Sequence, residues 1–307
     1  MYHYHFHQWL SFFYFYCLFG WCFESTVVSV KNKRFINRGF MTGPWLPLYG
    51  TGAICVLFVT LPFQQNPALV CVIGAFFATL LEYIVGTLML KIFKVRYWDY
   101  SYRKIQLHGH ICLSSTIAWG FLSILMVYVV HDRVAHLILG LNNDLVSMLT
   151  FSITALMAFD FANSLRRALD MRALIIQAEN LKRNLKKRVE FQKELLRSSA
   201  EEQLALIKAL TDSSVEYYSD QIREKMDEFQ TALWEQKYDK AELTAQFEWM
   251  IEKEISEMKK RKDKILKKIQ APAFYAMRHN PGFQAPSLKK EFAKYKNMLR
   301  KSDKNEK

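Results

Sequence analysis

Three carboxylates in this chain stand where carboxylates are costly. Glu24, Glu82 and Asp160 each lie in an apolar run long enough to cross a bilayer. An ionised carboxylate at mid-bilayer costs on the order of 3 kcal/mol on insertion scales, so such groups normally face a protein interior and take partners. Arg38, Arg96 and a half-helix around Gly43-Pro44 are the nearest candidate counter-charges. Glu24, Glu82, Asp160 and Arg38 are therefore expected to line a polar, cytoplasm-facing cavity that binds a substrate or couples its movement. The competing reading is that each acid merely pins helix packing through a buried hydrogen bond.

A second group, Trp98-Asp99-Tyr100, would bring rings, a carboxylate and the Arg38 guanidinium together as a lid or binding face for an amphipathic ligand. The same residues would serve equally as interfacial anchors. Hydrolytic chemistry has no carrier, since GxSxG and HExxH are missing, and the phosphate loop GxxxxGK[ST] is absent too. The chain is read as a non-enzyme. His108-Gly-His110 is too short a constellation to claim a metal. His3, His5 and His7 alternate, which suits a ligand set on a strand or an incidental polar start. All five cysteines (Cys17, Cys22, Cys55, Cys71, Cys112) fall inside apolar runs without CxxC pairing and are read as small hydrophobes. No cofactor and no metal are expected.

The stretch that must position these groups runs from Asn37 to Gly50. It packs Gly39, Gly43, Gly50, Pro44, Pro47, Arg38 and three aromatics (Phe40, Trp45, Tyr49) between two apolar runs. Glycine permits angles and close approaches that other residues do not, and proline removes a donor. Irregular backbone at a membrane boundary survives only where protein or a water-filled cavity shelters it from lipid. Gly39, Gly43, Pro44 and Tyr49 thus join Trp98, Asp99 and Tyr100 as expected loop or lid residues.

Spans of about 20 apolar residues are expected at 8–30, 43–63, 67–93, 111–130 and 145–165. The 31–42 loop carries Lys31, Lys33, Arg34 and Arg38 without an acid, and 91–110 is also basic, whereas 64–66 is uncharged. Basic loops stay cytoplasmic, so the N-terminus is expected outside and the C-terminal half inside the plasma membrane. The start lacks the basic n-region and cleavage site of a signal peptide, so the first span is expected to be retained. The net charge of +13 comes mostly from the later half. It favours anionic inner-leaflet lipids, and no motif speaks for nucleic acid.

The fold class is all-α: a polytopic five-span bundle over 1–165, then a long cytoplasmic helical or coiled-coil region. Hairpins 8–63 and 67–130 share a layout, each with a glutamate in its first helix and a basic aromatic loop, and Gly39 to Gly50 loosely echoes Gly109 to Gly120. They form either a parallel repeat or a chance likeness. Residues 134–141 read as a short external amphipathic piece. Residues 166–271 read as a helical stalk, broken near Thr211-Asp212-Ser213-Ser214, where Ser213 and Glu216 have capping-box spacing. Ile222, Met226, Phe229, Leu233, Leu243, Phe247 and Met250 follow as a heptad that folds back or pairs with a second copy. Residues 272–307 read as a Pro-containing segment, a short helix at 287–299 and a charged tail.

The chain resembles a known family. The residues that carry the likeness are Gly20-Trp21-x-x-Glu24, Asn37-Arg38-Gly39-Phe40-x-x-Gly43-Pro44-x-x-Pro47-x-Tyr49-Gly50, Leu81-Glu82-Tyr83 with Gly86, Trp98-Asp99-Tyr100-Ser101, and Gly109-x-Ile111 leading to Trp119-Gly120. Over about 20–130 they are similar to the bacterial ABC-transporter permease family labelled CmpB-like, and the coiled half resembles its usual C-terminal extension. Gln106 and His110 depart from the pattern, which has Asn and Arg there. The resemblance implies a permease partnered by a separate ATPase subunit. Two other readings remain open: a non-transporting scaffold or sensor whose coiled half recruits partners, and a membrane-embedded lipid-processing enzyme.

Overall fold

The computed structural model describes residues 4–198, 202, 205 and 240–305. His3, the Thr211–Ser214 break, the Ser213/Glu216 box and the heptad positions from Ile222 to Leu233 lie outside the described residues. The chain divides into two compact units, one of residues 1–173 with 271–307, the other of residues 174–270.

In the first unit α1 spans Phe6–Asn32, α2 spans Pro47–Thr60 and runs into a 3-10 turn at Leu61–Phe63, and α3 spans Pro67–Phe93. A two-strand ribbon follows, β1 Gln106–Leu107 against β2 Ile111–Cys112. Then come α4 Leu113–Leu125, a π-turn Met126–Val130, α5 His131–Leu139 and α6 Asn143–Leu195. After α7 (Lys240–His279) and a 3-10 turn at Pro286–Leu288, α8 covers Lys289–Asn305.

Local chemistry explains these ends. Asn66 accepts from the backbone N–H groups of Ala68 and Leu69 at 3.0 and 3.3 Å, and Pro67 begins the helix where no donor is needed. Both α1 and α3 are 27 residues long and stop at a left-handed lysine, Lys33 (φ 52°) and Lys94 (φ 60°).

Four helical stretches are long and apolar enough to cross a membrane: Phe6–Asn32, Pro67–Phe93, Leu113–Leu139 and Asn143–Leu195. At most 28% of the most apolar window of each is buried. Phe58, Val72, Phe121, Phe151 and Phe159 are among the large apolar side chains left outward. Helices apolar all round need an apolar solvent.

The structure corrects two expected boundaries. The second apolar helix starts at Pro47, not at residue 43, because Leu46 before the proline is held extended (φ −118°, ψ 89°). With its 3-10 turn it is 17 residues long, Pro47–Phe63, about 25 Å at 1.5 Å per residue and short of a 30 Å core. Residues 134–141 do not form a separate piece, since α4 passes through its π-turn into α5 with neither glycine nor proline between Gly120 and Gly140.

Close helix contacts rest on small residues. A Cβ on Gly20 would overlap the base of the Tyr49 ring, one on Gly50 would overlap Cys17, and one on Gly74 would overlap Ser123. At one end of the bundle Phe12, Tyr16, Leu57, Val70, Val134 and Val146 pack together. Tyr14, Cys17, Met41 and Met157 form a second packed cluster.

In the second unit Phe247, Ile251, Ile255 and Met258 form a buried stripe at helical spacing on α7, and Arg188 of α6 pairs with Glu254 of α7. Helix α7 continues through Pro272 to His279.

Candidate functional site

Glu24 lies one turn beyond Gly20 on α1, so the face that admits Tyr49 also presents the carboxylate. The Tyr49 hydroxyl donates to Glu24 Oε1 at 2.8 Å, and Arg38 Nε donates to Oε2 at 3.1 Å. The loop that carries Arg38 is itself fixed. The Arg38 N–H donates to Ser25 Oγ at 3.1 Å, and Gly39 takes φ +130°, an angle side chains resist. Asn37 accepts from Trp21 Nε1 at 2.5 Å and donates to the Thr42 carbonyl.

Glu82 on α3 is 5% exposed. Tyr100 donates to its Oε1 at 3.1 Å and Trp119 Nε1 to its Oε2 at 2.9 Å. Tyr49 and Trp119 each stand ten residues after a positive-φ glycine (Gly39, Gly109), each donates to the glutamate of its own helix pair, and their ring centroids lie 6.1 Å apart. Gly86, one turn beyond Glu82, leaves room for His110 and Trp98, whose indole N–H donates to the His110 carbonyl at 2.9 Å. Gln106 accepts from the Gly109 N–H at 2.5 Å and so braces the turn between β1 and β2.

The loop after α3 is tied to the chain's last segment. Arg96 and Gln284 exchange backbone hydrogen bonds at 2.8 and 3.0 Å, and Gln284 Nε2 donates to Asp99 Oδ2 at 2.5 Å. Asp99 also accepts from Arg96 Nη1 at 3.0 Å, from the Ser101 N–H at 3.1 Å and from its hydroxyl. Asn280 reaches the other loop, accepting from Arg38 Nη1 at 2.8 Å and donating to the Gly39 carbonyl at 3.0 Å.

These groups surround a cavity of about 550 Å³ whose polar end is made by Glu24, Arg38, Glu82, Tyr100 and Asn280 and whose walls are apolar, among them Leu48, Val85, Met89 and Phe93. A smaller apolar cleft of about 180 Å³, reaching Phe19 and Phe23, shares Tyr49, Glu82 and Trp119 with it. Gly39, Trp98 and Tyr49 line the larger cavity as well.

Asp160 is placed elsewhere. It accepts from the N–H groups of Gly43 and Thr42 at 2.8 and 3.2 Å and so pins the corner around Pro44, where the Trp45 N–H closes onto the Gly43 carbonyl. Asp99 braces the mouth from behind and does not line it. Trp119, Asn280 and Gln284 were not among the site residues expected from sequence. Asn280-Pro281-Gly282 signals a turn, and nothing local ties it to residues some 240 positions away.

Burial pushes the Asp99 carboxyl up, but the hydrogen bonds from Ser101 and Gln284 and the Arg96 charge outweigh it and hold the group below the usual carboxylate range. Burial, then the Glu82 carboxylate, pushes the Tyr100 phenol up, so it stays a donor. Burial, then Arg96 and His108, lowers His110.

The Asp99 shift carries a prediction. A depressed carboxyl contributes stability that is present above its unfolded value of about 3.9 and is lost as pH falls through its lower folded value. Gln284→Ala is therefore expected to lower stability by about 1.5 kcal/mol, the scale of a hydrogen bond to a charged group. The deficit should be constant from pH 8 to 5 and shrink only below about pH 4. Thermal unfolding of both proteins in detergent across that range checks it; a deficit that already changes near pH 6 would assign the effect to another group.

Four helical stretches long and apolar enough to cross a membrane point to a membrane protein. The chain belongs to the family described as "Putative ABC-transporter type IV", which matches residues 11–165 and supports a transporter-like membrane protein. No curated protein and no solved structure matches it.

Proposed function

We propose that this chain is the permease-like membrane component of a transporter and binds an amphipathic substrate in the cavity between its two helix pairs. In this reading it crosses the plasma membrane five times, with the N-terminus outside and residues 166–307 in the cytoplasm. A separate ATPase subunit drives it, its basic half meets anionic inner-leaflet lipids, and the helical region 166–271 carries partners or a second copy. The two pairs are a parallel repeat whose loops form the cytoplasmic mouth.

The observation that carries the reading is the Glu24–Arg38 pair and the buried Glu82 at the polar end of an otherwise apolar cavity. Acids that only pinned helices would need no such space beside them. A scaffold would leave it unexplained. Tags on the two chain ends that report the same face of the membrane would remove the orientation.

The test is copurification of the full chain from native membrane, with bound small molecules and proteins identified by mass spectrometry. Wild-type protein should carry an amphiphile and an ATPase subunit. Val85→Trp, which fills the cavity one turn from Glu82, should lose the amphiphile and keep the subunit. Wild-type protein that carries no amphiphile, or Val85→Trp that retains it, would overturn the reading.

A further inference from the structure

The charges around the cavity do not balance, and the imbalance has a sign. Only Glu24, Arg38 and Glu82 among the described residues lining it can carry full charges, and Glu24 and Arg38 form an ion pair. Glu82 is held by a phenol and an indole N–H, both neutral donors, and no described lysine or arginine forms an ion pair with it. The imidazole beside Gly86, His110, is held towards its neutral form by burial and by Arg96. Ionised, Glu82 is an uncompensated negative charge in a site of low dielectric, where such a group is driven towards its neutral form unless an opposite charge comes to lie beside it.

Resting on the reading of this cavity as a substrate site, we propose that it takes a monovalent organic cation with an apolar body, an alkylammonium amphiphile whose head meets Glu82. The tilted rings of Tyr49 and Trp119, 6.1 Å apart, stand beside that carboxylate. Aromatic rings favour an ammonium head over an anionic one. The apolar cleft that shares Tyr49, Glu82 and Trp119 with the larger cavity leads away from the head position, between Phe19, Phe23 and Val56, and takes the chain. An anionic amphiphile would meet a net negative end. A neutral one would leave Glu82 without a counter-charge. Arg38 offers an anion little, because Glu24 and Asn280 already occupy it.

The experiment uses the full-length protein in nanodiscs of phosphatidylcholine at pH 7.5. Binding of octyltrimethylammonium, octyl glucoside and octanoate is measured by equilibrium dialysis against empty nanodiscs, in wild type and in Glu82→Gln. Gln is close to isosteric: its oxygen accepts from Trp119 and its amide donates to the Tyr100 oxygen. The expected result is saturable binding with the cation first, roughly tenfold or more ahead of the neutral probe, as for a buried charge pair. Glu82→Gln should erase that lead and leave the affinity for octyl glucoside within about twofold.

Octanoate or octyl glucoside binding as tightly as the cation would overturn the cation inference and leave the cavity reading standing. So would an undiminished cation lead in Glu82→Gln. Saturable binding of none of the three probes would overturn the cavity reading itself. If Glu82→Gln does not fold, the wild-type ranking decides alone.

Discussion

Arg38→Ala is expected to destabilise the protein by about 2–3 kcal/mol, below the 3–5 of a fully buried pair because its side chain and that of Glu24 keep 20% and 28% exposure. The alanine removes the only cation on Glu24 among the described residues and leaves that carboxylate half-buried with the Tyr49 hydroxyl alone. It also removes the donor to Asn280 Oδ1, leaving the Asn280 amide tied to the first loop through the Gly39 carbonyl. The backbone bond from residue 38 to Ser25 survives, so the loop keeps its course.

Most of the penalty is the stranded charge, and this fixes the double variant. Arg38→Ala combined with Glu24→Gln should recover at least 1 kcal/mol relative to the sum of the singles, well outside the 0.3–0.5 kcal/mol within which independent sites add. Thermal unfolding of the four proteins in one detergent measures the coupling. Additivity would mean that the pair contributes nothing to holding the cavity end together.

Gly20→Ala is the second large effect, and it acts through shape. Its methyl group would fall on Cβ and Cγ of Tyr49, and the Cβ is fixed by the backbone, so no rotamer can move it aside. Helices α1 and α2 must separate or tilt, a strain of the size of overpacking, about 1–3 kcal/mol. The damage reaches the site, because Tyr49 shifts away from Glu24 Oε1, which it now meets at 2.8 Å. Tyr49→Ala keeps the Cβ that the new methyl meets, so Gly20→Ala with Tyr49→Ala should not regain the packing of Gly20, and the hydrogen bond to Glu24 stays lost. If Gly20→Ala melts with wild type, the close approach of the two helices is not a stabilising contact.

The membrane explains what was legible in the sequence. A helix in lipid must satisfy its backbone within itself and show an apolar surface, so the runs that became α1, α3, α4 with α5, and the start of α6 stood out by length and composition. The Asn66-Pro67 start is equally local. Glu24 and Glu82 stood out because a charge in an apolar run demands a partner, although Lys31, Lys33 and Arg34 lie nearer to Glu24 in the sequence than Arg38 does.

What was not legible depends on distant partners. Asp160 looked like a third cavity acid, yet the nearest unsatisfied donors in space were the N–H groups of Thr42 and Gly43. Trp119 stood out only beside Gly120 in the family likeness, and the packing of α4 on α3 turns its indole onto Glu82. The four residues from Gly43 to Leu46 were counted as helix on composition, although the extended Leu46 before Pro47 interrupts it. Pro272 looked like a stop, and α7 runs through it.

Asn280 and Gln284 have a wider meaning for how such proteins differ from one another. The stretch that defines the family ends at residue 165, and these two side chains, more than a hundred positions later, grip both loops at the cavity mouth. The family's own segment thus supplies the chamber but not its complete rim. Two members with identical spans and unrelated tails would differ at this rim, and trading residues 271–307 between them would change the loops' contacts without altering a single span.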